Sequence, residues 1–284
     1  MRSAAPVPAL WGANPAVAWS PTAATDKINF GSASILDSAS SPVKASMGGW
    51  FCIDDTAVNS STTFFGKEDT GATLGWLVRL ITTTGVIRVT QYTSSTSRTY
   101  NSVEAPCLLA LNKRWVYLGL ALDSSLGAGV KYVGYYGAYM EPLTTLTWSV
   151  SNEGAGVDDT DAANNLNYGN RGTAGGEAQS TLQFGPCQYW NNRILTKSQF
   201  QEQALNPLRP VAYPTIWAFP DPAGNAFLDL SGNGLHGAIT GGKWVPMPGE
   251  LAKPGYDDGI WAYSNPVVPY NPPVLPFLTI SFRP

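Results

Sequence analysis

One helix-start signal, at Thr196, stands in a chain otherwise written in short strand-like runs. That contrast limits the fold more than any other feature. Thr181 to Trp190 is rich in apolar and aromatic residues, as strands are. Asn191-Asn192-Arg193 turns this run, and Ile194-Leu195 returns two apolar side chains toward a core. Thr196 with Gln199 three residues later has capping-box spacing: the Thr side chain caps one amide and the Gln reaches back to another. Asn206-Pro207 ends the helix after about two and a half turns, because proline cannot continue it.

The rest of the chain reads as strands. Lys27 to Phe30 alternates, and Ser46 to Ile53 places Trp50 and Cys52 on one face with Phe51 and Ile53 on the other. Thr62 to Gly66 is a short strand. Leu74 to Thr82 and Val86 to Tyr92 flank Thr83-Thr84-Gly85, a hairpin signal. Arg114 to Asp123 is apolar on both faces, which predicts a strand covered on both sides, with Trp115 between two sheets. Gly129 to Gly137 and Leu143 to Val150 follow as strands. Ser151 to Arg171 reads as a long polar loop with a short strand near Leu166 to Gly169. The segment 215–245 holds Thr215 to Phe219 and then the Gly-rich run FLDLSGNGLHGAITGGKW. About 30 residues cannot bury a core alone, so it is expected to complete the same sandwich.

Several of these runs, in order, resemble laminin-G-like, concanavalin-A-like jelly rolls. They are DKINFGS with MGGWFCIDD, FFGKEDTGATLGWLVRLITTTGVIRV, RWVYLGLALD, GVKYVGYYG, and the closing strand with its NNRILT turn and helix. DLSGNGLHG resembles a signature that usually precedes such a jelly roll, but here it follows the helix. The resemblance implies an all-β fold: two antiparallel sheets over residues 25–245, one short helix, and extended arms at 1–24 and 246–284.

Composition bounds the partners. Net charge is -3 and charged residues make up 13% of 284, about half the usual share. With no Lys/Arg cluster, nucleic acid is an unsuitable partner. The apolar run Trp115 to Leu122 is far shorter than the ~20 residues of a membrane helix. Residues 1–19 are broken by Pro6, Pro8 and Pro15 and lack the continuous apolar core of a signal peptide. The expectation is a protein of a virion, made in the host cytoplasm without a signal, or otherwise an extracellular one. Cys52, Cys107 and Cys187 match no zinc spacing; buried thiols or one disulfide with a free thiol both fit.

No catalytic motif stands out. Glycosidases of this fold carry paired carboxylates on one strand, whereas Glu68, Glu104, Glu141, Glu153 and Glu177 fall at turns or in loops. His236 is the single histidine and lies among turn glycines. The densest set of hard oxygen donors is Asp158, Asp159 and Asp161, with Glu153, Asn164 and Asn165. They are candidate calcium ligands, as the resemblance implies, or a solvated loop. No other cofactor is expected. Asp229 and Asn233 suit turn capping. Trp11, Trp19, Trp261, Tyr270 and Phe277 lie in the Pro-rich arms, where aromatic residues suit anchoring in a neighbour's pocket.

Two functions follow from this reading. The first is a non-enzymatic structural subunit of a large assembly, of the bacteriophage virion kind, forming homo-oligomers and meeting other virion proteins through its arms. The second is a carbohydrate-binding or adhesion module recognising a cell-surface glycan.

Overall fold

The computed structural model describes residues 17–246 apart from 38–42, 54–60, 70, 72, 82–83, 104–113, 140, 159, 163, 172–181, 208 and 222. The described residues form an antiparallel, all-β sandwich. In chain order its strands are β1 (Val17–Ser20), β2 (Lys27–Asn29), β3 (Lys44–Ile53), β4 (Ser61–Glu68), β5 (Gly75–Ile81), β6 (Val86–Tyr92), β7 (Ser97–Ser102), β8 (Trp115–Asp123) and β9 (Tyr132–Ala138). They continue as β10 (Thr144–Thr145), β11 (Trp148–Asn152), β12 (Asn167–Tyr168), β13 (Leu182–Asn191), β14 (Ile216–Asp221), β15 (Ala226–Asp229), β16 (Gly237–Thr240) and β17 (Lys243–Pro246). The helix α1 (Lys197–Leu205) follows β13.

Pairing runs as one folded ribbon. One layer is β9-β8-β3-β13-β14, and the other is β2-β12-β4-β5-β6-β7-β11. The hairpin partners β15 and β16 join them, because β15 pairs with β14 and β16 pairs with β2. Residues 216–240 therefore bridge the two layers. Side chains meet between the layers: Phe51 on Phe64, Trp76 on Tyr189 and Tyr100 on Tyr132. Tyr168 sits at the centre against Phe65, Phe184 and Phe227, and its hydroxyl donates to Trp50 O at 2.9 Å.

The layer containing β8 is buried on both faces, and each face has its own cluster. Val116, Leu118, Leu120 and Leu122 point between the layers with Phe51 and Ile53. Trp115, Tyr117 and Ala121 point outward with Trp50, Cys52, Trp190 and Phe200. Trp115 is thus buried, but it is not between the two sheets. Period-two alternation assigns Trp115 and Val116 to opposite faces and does not say which face is inner.

Helix α1 covers the outer face. Thr196 Oγ1 accepts from Gln199 N, and Gln199 Oε1 accepts from Thr196 N at 2.9 Å, closing the capping box. Phe200 packs against Trp190 and Tyr135. Gly119 leaves room for it, since a Cβ there would lie 2.5 Å from the Phe200 ring. Strand β13 tolerates Pro186 because its register with β3 shifts between Phe184 and Cys187, a bulge where no ladder N–H is required.

The arm expected over residues 1–24 is in part a strand. Trp19 pairs with Phe184 across β1 and β13, is 1% exposed, and donates from Nε1 to Gly241 O at 3.2 Å. It belongs to its own chain's core and is not available as an anchor for a neighbour. Trp11, Trp261, Tyr270 and Phe277 lie outside the described residues. Cys52 and Cys187 are buried thiols, and Cys107 lies outside the described residues. Burial pushes the Cys187 thiol well above its ordinary value. No helix among the described residues is long and apolar enough to cross a membrane.

Candidate functional site

The turn joining β6 to β7 reads Thr93-Ser94-Ser95-Thr96, and its hydroxyls build it. Thr93 N donates to Thr96 O at 2.8 Å, and Thr96 N donates back to Thr93 Oγ1 at 3.1 Å. Short hydroxyl side chains favour such turns because they can replace a backbone partner.

The segment 153–158 docks onto this turn. Thr93 Oγ1 donates to Ala155 O at 2.5 Å, Ser94 N donates to Val157 O at 2.9 Å, and Ala155 N donates to Thr96 Oγ1 at 2.9 Å. Gly154 and Gly156 have φ of 69° and 87°, which glycine adopts at no steric cost. A Cβ on Gly156 would lie 2.3 Å from Ser94 Oγ, so the close approach also needs glycine.

A buried polar network holds both segments from behind. Arg98 pairs with Asp158 and donates from Nε to Glu153 O at 2.9 Å. Asp158 also accepts from the Ser124 hydroxyl. Tyr132 donates to Gln91 Oε1 at 2.8 Å, and Tyr100 donates to Glu153 Oε1 at 2.6 Å. Burial, reinforced by the Glu153 carboxylate, pushes the Tyr100 hydroxyl well above its ordinary value, so it remains a donor.

The facing wall is the turn after β4. Asp69 Oδ1 accepts from Thr73 N at 2.6 Å and Leu74 N at 2.8 Å, while Oδ2 accepts from Thr73 Oγ1 and Gly71 N. Burial alone would raise the Asp69 carboxyl; the hydrogen bonds from Leu74, Thr73 and Gly71 outweigh it and hold it below the usual range. A carboxylate of depressed pKa contributes stability above its unfolded value, about 3.9, and loses that contribution as pH falls through the folded value. This wall is therefore expected to loosen below about pH 4. Amide exchange at Thr73 and Leu74 checks this. Unchanged protection between neutral pH and about pH 3, after correction for intrinsic rates, would show that Asp69 does not hold the turn.

Between these walls lies an open groove of about 680 Å³, lined by Thr73, Leu74, Tyr92, Thr93, Ser94, Ser95, Thr96, Ser97 and Asn152. The volume falls within the range of small-ligand sites. Tyr92 is half-buried, and burial, with Glu68 nearby, raises its hydroxyl pKa and keeps it a neutral donor. The groove offers hydroxyls and one amide around one aromatic ring. A smaller depression of about 480 Å³ lies at Thr196, Lys197, Ser198 and Gln201. Two of its polar side chains also serve the fold, since Thr196 caps α1 and Gln201 Oε1 accepts from Leu143 N at 2.6 Å, and it has no aromatic ring.

The acidic residues singled out in the sequence have separate partners. Asp158 serves Arg98. Asp161 accepts from Trp76 Nε1 at 3.1 Å and pairs with Lys67 at 3.3 Å; Lys67 also pairs with Asp37 at 2.8 Å. Each aspartate thus already faces a cation of the protein. Asp159 lies outside the described residues, and no group of three or more metal-ligating side chains stands together among the described ones. Glu153 accepts from Tyr100 and from Gly129 N at 2.5 Å. His236 Nδ1 accepts from Asp229 N at 3.1 Å. Asp229 accepts from Trp217 N, Ser231 N and Leu235 N, so it organises the glycine-rich turn. Asn233 Nδ2 donates to Thr215 O at 2.9 Å.

Sequence reasoning passed over the groove residues. Their one signal is the run TSSTS at 93–97, which reads as an ordinary polar turn until the walls around it are known.

No protein-family model matches the chain, and no curated protein matches it. Among solved structures, binding domains of botulinum neurotoxins resemble part of it. The serotype C1 binding domain is 11% identical over 59% of this chain and 37% of its own, with a TM-score of 0.34. The serotype DC binding domain in complex with rat synaptotagmin II is 12% identical over 66% of this chain and 46% of its own, also at 0.34. The serotype D binding domain is 13% identical over 67% and 48%, again at 0.34. The chain spans less than half the length of these structures. Likeness at this level says nothing about the groove.

Proposed function

We propose that this chain is a non-catalytic binding module that takes a saccharide in the groove between Thr73-Leu74 and the 92–97 turn. The observation that carries this reading is a pre-built wall of neutral hydroxyls around the half-buried Tyr92 ring. Pyranose faces are apolar and their edges carry hydroxyls, so a ring beside hydroxyl donors and acceptors matches both. Pre-organisation lowers the ordering cost that weakens binding by loops. The order of the motifs and the two-layer arrangement favour a concanavalin-A-like, laminin-G-like jelly roll as the scaffold.

The virion-subunit reading draws on the sparse charge, the lack of a signal-peptide pattern and the aromatic residues of the arms. Trp19 already serves its own core, and the other four lie outside the described residues, so that reading ranks second. Either role suits a protein that meets partners outside a cell or on a virion surface.

A glycan array probed with the full chain tests the proposal, followed by titration of the strongest ligand. Tyr92→Ala is expected to weaken binding by about tenfold or more, roughly 1.4 kcal/mol, the scale of one aromatic contact. Binding left at full strength in Tyr92→Ala would remove the groove from consideration.

A further inference from the structure

We infer that the groove selects uncharged saccharides and rejects sialylated, uronic or sulfated ones, an inference that rests on the saccharide reading above. None of the lining side chains carries a charge. The charges acting on the Tyr92 hydroxyl are Glu68, Arg79, Arg171 and Asp69, and Arg171 is paired with Glu68. Asp69 stands behind Thr73 and Leu74 and is held ionised by their amides. Glu153 follows Asn152 and accepts from Tyr100 and Gly129. The cation behind the turn, Arg98, is committed to Asp158 and to Glu153 O, and is buried away from the groove. An anionic sugar entering here loses hydration, and no side chain of the lining supplies a guanidinium or ammonium partner. It also approaches the Asp69 carboxylate behind the Thr73–Leu74 wall. A neutral saccharide meets neither cost, and its hydroxyls can meet those of Ser95, Ser97 and Tyr92 in the lining.

The test titrates the full chain with matched pairs, such as lactose against sialyllactose and sulfated lactose, at low and at physiological ionic strength. The neutral member is expected to bind about tenfold tighter than its anionic partner, the factor of about 1.4 kcal/mol. The gap should narrow with added salt, because the Debye length falls from about 30 Å at 0.01 M to about 8 Å at 0.15 M. Val157→Lys, at an exposed position beside Ser94 that does not line the groove, should raise affinity for the anionic member while leaving the neutral one within a few-fold. Equal or stronger binding of anionic members, abolished by Tyr92→Ala, would overturn the charge selection and leave the groove reading intact. A preference indifferent to salt and to Val157→Lys would likewise overturn it, since steric exclusion alone behaves that way. No binding by either class, or binding that survives Tyr92→Ala, would remove the groove reading and this inference together.

Discussion

Asp158→Ala is expected to lower unfolding free energy by about 3–5 kcal/mol, because it leaves the Arg98 guanidinium buried without its counter-ion. Arg98 is 7% exposed and Asp158 is 5% exposed, so water cannot take over the role. Ser124 loses its acceptor in the same change. The effect should reach the groove, since Asp158 pairs with Thr93 as an isolated bridge and Arg98 holds Glu153 O. The proposed saccharide binding should therefore fall although Asp158 does not line the groove. Asp158→Asn, which keeps the shape and loses the charge, should cost less. The double change Arg98→Met with Asp158→Leu should recover much of the stability, as apolar replacement of a buried pair often does. Denaturant titration of the variants measures this. A loss under about 1 kcal/mol for Asp158→Ala, the scale of an exposed pair, would mean that water screens the pair and that the groove wall is held by other contacts.

Trp115→Ala is expected to cost about 3–5 kcal/mol, the range for removing a buried Trp. The site is the outer cluster beneath α1, with Trp50, Cys52 and Trp190. Gly185 fixes its depth, since a Cβ there would lie 3.1 Å from the Trp115 ring and 3.2 Å from Trp50 Cβ. Double-mutant cycles locate it. Trp115→Ala and Trp50→Ala share a cavity and should couple by more than about 0.5 kcal/mol. Trp115→Ala and Leu80→Ala, on different layers, should add within about that error. A loss under about 1 kcal/mol for Trp115→Ala would put the ring at the surface, and strong coupling to Leu80 with none to Trp50 would put it between the layers.

The alternation of Trp50, Phe51, Cys52 and Ile53 decides that they form a strand with two different faces, because successive side chains point oppositely whatever the surroundings. The apolar run 115–122 likewise decides double coverage, since neither face could stay in water. The Thr196–Gln199 capping box is complete within four residues. These features are local, and the sequence by itself determined them. It did not reveal β7, whose polar run Ser97–Ser102 hides Arg98, Tyr100 and Ser102 on a buried face. A polar residue reads as exposed until its partner is known, and the partners of Arg98 and Tyr100 are Asp158 and Glu153, more than 50 residues away. The same distance conceals why Trp19 is core and not an arm: its neighbours are Phe184 and Gly241. The three-aspartate cluster looked like one ligand set because its members are close in sequence, yet Asp158 and Asp161 face different cations, Arg98 and Lys67. Which face of β8 is inner, which acids are already paired, and which hydroxyls line a groove were decided only by the tertiary structure. Each depends on contacts between segments whose separation along the chain carries no local pattern.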